Sequence, residues 1–289
     1  KVELLAPAGS FLKLKTAFYF GADAAYIGGK DFSLRSFADN FTRDELASAV
    51  KYAHASGKKV YVTANIFAKN ADMPLLEDYF SYLQYIEADA AIVSDAGVLY
   101  AAKKSAPSLH LHISTQANLT NKYAVKFWSE QGAARVILAR ELSLDEIAEI
   151  HSFVPETELE TFVHGAMCIS YSGRCLLSDY LAHRPSNRGE CVQACRWNYS
   201  IQKTDPSPDG GKLEIQEDGR GTYILNSKDL NMSAHLAKLE KAGVCSFKIE
   251  GRMKSEYYLA TVINAYRRCM DDGFSAQVER ELLTAAHRD

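Results

Sequence analysis

The sequence predicts an α/β chain closed into a parallel (βα)8 TIM-like barrel, with a cysteine-bearing insertion after the seventh strand. Three observations carry this. Eight short β-rich segments succeed one another, and most are followed by a stretch with apolar residues at helical spacing. Such βα alternation calls for parallel strands joined by helical crossovers. The length, 289 residues, is close to the roughly 250 that eight units need. An open doubly wound sheet is the alternative. No Gly-x-Gly-x-x-Gly follows the first strand, so a dinucleotide-binding fold has no support.

The strands read Val2–Ala6, Ala24–Gly28, Lys59–Ile66, Ala90–Ser94, His110–Ser114, Arg135–Ala139, Leu159–His164 and Ser246–Glu250. Between the first two, Leu12–Phe20 repeats apolar residues at helical spacing. Arg43–His54 opens on Thr42, a capping hydroxyl followed by Asp44 and Glu45, and stops at Gly57. Leu75–Ile86 and Ala96–Lys104 follow the third and fourth strands. Lys122–Gln131 stops at Gly132, Leu144–His151 opens on Ser143 ahead of Asp145 and Glu146, and Ala234–Ala242 stops at Gly243. The barrel is assigned to residues 1–271, interrupted at 165–227 by the cysteine-rich insertion. Within the insertion Trp197–Gln202, Leu213–Gln216 and Thr222–Leu225, separated by Pro- and Gly-rich turns, read as a small antiparallel flap. Residues 272–289 read as a helical tail leading into a further C-terminal domain.

With 47% hydrophobic residues the chain can bury a large core. Its formal charge of −3 argues against a broadly basic nucleic-acid binder. The charge is uneven: residues 164–254 hold 13 Lys and Arg against 10 Asp and Glu, a local balance of +3 that permits an anionic substrate. No apolar run approaches the ~20 residues of a membrane span, and no signal peptide is visible. Six cysteines are too few for a secreted disulfide scaffold, which points to a reducing cytoplasm.

Four of the six, Cys168, Cys175, Cys191 and Cys195, lie within 28 residues at spacing C-x6-C-x15-C-x3-C. Spacing alone leaves three readings: iron–sulfur ligands, a structural zinc site, or unrelated thiols. Only Cys191-x3-Cys195 resembles a zinc knuckle. The C-x3-C-x2-C signature of radical S-adenosylmethionine enzymes is absent.

A (βα) barrel builds its active site at the carboxyl ends of its strands, and these ends are polar here. If the apolar faces pack on the helices, alternation turns His112, Glu160, His164, Lys248 and Glu250 inward. Buried ionisable groups need partners or a ligand. One reading is a self-satisfying ionic network; the other is a pocket. The pocket reading makes Glu160, His164, Lys248 and Glu250 catalytic candidates. Asn65, His112, Gln116, Arg140, Arg174 and Arg252 are then candidates for binding substrate. No His-Glu-x-x-His or Gly-x-Ser-x-Gly motif is present. Cys168 and His164 can be paired as nucleophile and base, but their spacing at a strand end imposes no geometry.

With those residues in view, the chain resembles peptidase family U-thirty-two, the collagenase-like proteases. The family signature Glu-x-Phe-x2-Gly-small-aliphatic-Cys-x4-Gly-x-Cys-x-aliphatic-Ser is matched throughout. The matching residues are Glu160, Phe162, Gly165, Ala166, Met167, Cys168, Gly173, Cys175, Leu177 and Ser178. The blocks beginning at Glu3, Ser114, Ala139 and Lys248 also look like family blocks. The resemblance implies a four-iron–four-sulfur cluster held by Cys168, Cys175, Cys191 and Cys195, with zinc as the alternative.

It further implies RNA hydroxylation. The branch it looks most like supports 5-hydroxylation of the wobble uridine of transfer RNA through prephenate-linked metabolism. On that reading Arg174, Arg188, Arg196 and Arg252 meet phosphates, and Tyr171 and Trp197 stack on an unpaired base. Lys248 and Arg252 are the alternative anchors for a prephenate-like carboxylic acid. Iron–sulfur assembly machinery would be a further partner. A collagenase-like peptidase, metallo- or cysteine-type, is the runner-up function, and a non-catalytic assembly partner with a structural metal is the third.

Overall fold

The computed structural model describes residues 1–34, 39–197, 216–218, 221–223, 227–285 and 287. Its first seven strands are β1 (Glu3–Ala8), β2 (Ala24–Gly28), β3 (Lys59–Ala64), β4 (Ala90–Val93), β5 (Leu111–Ile113), β6 (Arg135–Ile137) and β7 (Glu158–Gly165). A hairpin of β8 (Gln216–Asp218) and β9 (Gly221–Tyr223), the two-residue β10 (Leu230–Asn231), and β11 (Val244–Ile249) complete the set. Strands β1 to β7 and β11 pair in parallel, in order around a ring. Strand β11 bonds to both β1 and β7, and β6 bonds to β7, so the eight-stranded sheet closes. The open-sheet alternative is thereby settled in favour of the barrel.

The connecting helices are α1 (Phe11–Tyr19), α2 (Arg43–Ala55), α3 (Met73–Tyr85), α4 (Ala96–Ser105), α5 (Lys122–Glu130) and α6 (Leu144–Phe153). After them come α7 (Leu177–Ala182), α8 (Leu236–Lys241), α9 (Glu256–Asp272) and α10 (Ala276–Thr284). Thr42 and Ser143 each accept from the N3 backbone while Glu45 and Glu146 reach back, so both expected caps are full capping boxes. No helix among the described residues is long and apolar enough to cross a membrane.

The apolar faces behave as strand alternation requires. Leu4, Ile27, Val62, Val93, Val136, Leu159 and Phe247 face outward into a core shared with the helices. The inward faces carry a much smaller apolar cluster around Leu5, Tyr26, Tyr61, Ile92 and Ile137, and the rest of the barrel interior is polar. One strand was not foreseen: β10 runs antiparallel against the carboxyl end of β7, pairing Leu230 with Gly165 and Asn231 with His164. The short helix α7 lies in the chain between β7 and β8. Of the expected flap, β8 and β9 form an antiparallel pair. Residues 198–202, 213–215 and 224–225 of the expected flap strands lie outside the described residues. At the far end α10 packs on α9 through Val278 and Leu282, and Arg268 donates to Glu281 at 2.7 Å.

Candidate active site

Inward side chains at the floor of the barrel form an ionic layer. Arg135 Nη1 donates to Glu3 Oε1 at 2.6 Å and to Glu160 Oε2 at 3.1 Å, while its Nε donates to Glu158 at 2.7 Å. Lys248 Nζ donates to Glu160 Oε1 at 2.8 Å, and Ser246 Oγ to Glu160 Oε2 at 3.2 Å. Tyr61 closes the layer by donating to Glu3 at 2.6 Å. Burial would raise the pKa of the wholly buried Glu160, but the charges of Lys248 and Arg135 hold it below the ordinary carboxylate value. His112 lies in the same layer with its ring edge-on to Tyr61, and its Nδ1 has no partner among the described residues. Burial, then the nearby Arg135 and Lys248, push its pKa far down, so the imidazole is neutral. Glu160 and His112 therefore lie beneath the cavity rather than on its wall. Glu160 is neutralised within the floor, the ionic-network alternative raised by its sequence position.

Above this floor an open cavity of about 150 Å³ lies between the strand ends and the loop that follows β7. Lys248 reaches it from below, with Nζ 4.4 Å from the centre of the Tyr26 ring and 5.5 Å from that of Phe162. Arg140 covers Phe162 at 5.2 Å and donates to the Ala166 carbonyl at 2.9 Å. Arg252, itself buried, donates to Ser33 Oγ at 2.7 Å and Thr63 Oγ1 at 3.1 Å. Asn65 Nδ2 donates to Ser114 Oγ at 3.2 Å, and Gln116 and Glu250 complete the polar wall. Three cations and one carboxylate thus face a single space, which suits an anionic or hydrogen-bonding ligand.

Three sequence-predicted residues are placed elsewhere. His164 turns outward: its ring centre is 5.3 Å from that of Tyr266 and 6.0 Å from that of Tyr258, both on α9. The cause is an irregularity in register, Lys248 pairing with Phe162 but Ile249 with His164, so the extra residue Val163 breaks the inward–outward alternation before His164. Burial lowers the His164 pKa to about 4. It is not paired with Cys168, which removes the Cys–His dyad. Arg174 is exposed on a turn and does not line the cavity. Arg188, expected on phosphate, instead donates to Asp72 at 2.9 and 3.3 Å and to the Phe67 carbonyl at 2.8 Å.

All four clustered cysteines are free thiols and all line this cavity, Cys168 exposed and the others half-buried. Burial raises the Cys195 pKa; Arg196 opposes that rise, and Cys168, Cys191 and Cys175 add to it, so the four feel one another. Among the described residues no three His, Cys, Asp or Glu stand close enough to hold one ion. The loop is seated on the barrel at two places. The Arg188–Asp72 pair works with a bond from Phe67 N to Asn187 O at 2.9 Å. Gly173, at φ +78°, lies so close to the Gln116 carbonyl that a Cβ would run into it. The backbone N–H of Gln193 points at Cys191 Sγ at 3.4 Å, the kind of donor that supports a ligating thiolate.

The sequence profile of peptidase family U32 matches residues 9–289. The chain belongs to peptidase family U32. Over its whole length this U32 chain is 46% identical to tRNA hydroxylation protein P1 of Bacillus subtilis, of which it spans 69%. It is 40% identical to tRNA hydroxylation protein P of Escherichia coli, spanning 73% of that relative. Over 94% of the chain it is 38% identical to the 23S rRNA 5-hydroxycytidine synthase of Escherichia coli, but spans 39% of it. A solved U32 peptidase shares the fold with a TM-score of 0.57 at 14% identity, covering 88% of this chain and 95% of that one.

Sequence reasoning missed Arg135 as a partner of Glu160, Glu3 as the second carboxylate that shares Arg135 with it, and Tyr26 and Phe162 as the aromatic wall around Lys248. Alternation carries a signal for Arg135 and Phe162, which share their strands' inward faces with Ile137 and Glu160.

Proposed function

We propose that this U32 chain hydroxylates a pyrimidine base in RNA, the wobble uridine of transfer RNA at carbon 5, with an iron–sulfur cluster held by Cys168, Cys175, Cys191 and Cys195. The observation that carries the reading is that four free thiols and three cationic side chains line one cavity. The names of the tRNA and rRNA relatives support the substrate class.

The donor set fits the group. It is all thiol, and a single zinc would need its thiolates about 2.3 Å from one point, closer than any three of these residues come to sharing. A cluster of several metal atoms reaches thiolates that stand further apart. When bound it would supply one-electron chemistry at the cavity mouth. The rest of the work falls to the chain. Lys248, anchored by Glu160, presents its remaining ammonium hydrogens toward the cavity. With Arg252 and Arg140 it neutralises an anion there, and a small carboxylic acid of the prephenate type is the proposed co-substrate. Asn65, Ser114 and Gln116 offer hydrogen bonds to base edges. Free thiols accord with a reducing cytoplasm and with loading by iron–sulfur assembly machinery.

Iron and acid-labile sulfide in anaerobically purified protein test the cofactor. Zinc without iron would favour a structural metal in an assembly partner. Nucleoside mass spectrometry of transfer RNA from a deletion strain tests the reaction. Unchanged hydroxyuridine there would remove it, and gelatin cleavage lost on Cys168→Ser would favour the peptidase.

A further inference from the structure

Among the described residues, Tyr26, Phe162 and Tyr171 are the aromatic side chains on the cavity wall, and their environments differ. Lys248 covers Tyr26, and Arg140 and Lys248 both approach Phe162. Tyr171 stands at the mouth, 56% exposed, and among the described residues no cation or second ring packs on it. Trp197 is also exposed but lies off the cavity wall.

Tyr171 begins a tight turn closed by a bond from Arg174 N to Tyr171 O at 3.0 Å. The two inner residues of that turn are pinned to the barrel. Ser172 is buried and accepts from Arg140 Nη2 at 3.4 Å, and Gly173 lies against the Gln116 carbonyl with no room for a side chain. The two outer residues, Tyr171 and Arg174, are left exposed, and Arg174 has no acidic partner among the described residues. A rigid turn thus holds out an uncovered aromatic ring at the entrance of a cationic cavity, with a guanidinium three residues away. Stacking on a pre-positioned ring loses little side-chain entropy, because the turn has already been ordered.

We infer that Tyr171 is the stacking platform for an unpaired RNA base entering the cavity, and that Arg174 meets an adjoining phosphate. This rests on the RNA reading above and names where the RNA seats. An aromatic face tolerates any base, so the platform supplies affinity and entry geometry, while base identity is read deeper in the cavity.

The test is fluorescence anisotropy of a labelled single-stranded oligouridylate with the full chain, purified anaerobically, at several salt concentrations. Tyr171→Phe keeps the ring and should bind as the wild type does. Tyr171→Leu and Tyr171→Ala should bind about five- to a hundredfold more weakly, with circular dichroism melting curves confirming that each variant is folded. Arg174→Gln should lower the slope of log affinity against log salt by about 0.7, one phosphate contact on a single strand. Wild-type affinity in Tyr171→Leu overturns the platform alone. An unchanged salt slope in Arg174→Gln overturns the phosphate contact. Absence of RNA binding by the wild type overturns the RNA reading and the platform with it.

Discussion

Lys248 Nζ stands 2.8 Å from Glu160 Oε1 and 4.4 Å from the centre of the Tyr26 ring, so one ammonium joins the buried ionic floor to the cavity wall. Glu160 is the hub of that floor, since Arg135 and Ser246 take its second oxygen. The cation that β11 gives the site is thus oriented from below, by a residue that no ligand in the cavity needs to touch.

Removing that hub should be costly. Glu160→Gln leaves Arg135 and Lys248 with one buried carboxylate fewer, and breaking a buried pair from one side costs about 3–5 kcal/mol. Urea unfolding should show the midpoint falling at constant slope. Glu160→Leu combined with Lys248→Met removes both charges and should lose less than Glu160→Gln alone. An equal or larger loss in the double variant would mean the pair is not the source of the cost.

His164 should make stability depend on pH. Its folded pKa is lowered from 6.5 to about 4 by burial against the α9 tyrosines. Below pH 6.5 the unfolded chain takes up a proton that the folded chain refuses, so stability falls as pH drops from 6.5 toward 4. The loss from this group amounts to ~3 kcal/mol over that interval. His164→Phe, which keeps a ring beside Tyr258 and Tyr266, should flatten the decline across this window in denaturation curves taken at stepped pH. A parallel decline in the variant would assign the effect to other groups.

Gly173→Ala should unseat the cysteine loop without melting the barrel. The substitution meets the Gln116 carbonyl and a left-handed backbone at once. Such a position costs on the order of 1–3 kcal/mol, concentrated in the loop. Hydrogen exchange should rise across residues 166–197 while β1 to β4 stay protected. Arg188→Ala should act in the same direction but more weakly, because its pair with Asp72 is partly exposed to water.

Arg252→Lys should impair activity more than folding. Lysine keeps the charge but loses the planar guanidinium, whose Nη1 donates to both Ser33 and Thr63. Complementation of a deletion strain should give at least about a tenfold drop in hydroxylated nucleoside, roughly one bidentate contact's worth, with a change of only a few degrees in melting temperature. Full complementation would place the substrate away from Arg252.

Much of the barrel was legible because its signals are local. The capping boxes at Thr42 and Ser143 need only neighbours three residues away, and alternation alone turned His112, Glu160 and Lys248 inward. His164 escaped the same rule because alternation holds only while register holds. A single irregularity opposite Lys248 and Ile249 reversed its direction. Arg188 was misassigned for a different reason: its acid, Asp72, is 116 residues distant in the chain.

By itself, then, the order of residues determined the βα alternation, the position of the cysteine loop and the match to the U32 signature, all of them properties of short stretches. Only the closed barrel decided which charges cancel in its floor and which remain facing the cavity. Glu3, Arg135, Glu160 and Lys248 come from four different strands, and they meet because β7 pairs with both β6 and β11. Pair energies between charges depend on separations of a few ångströms and on burial, and both are set by ring closure and register rather than by any local pattern.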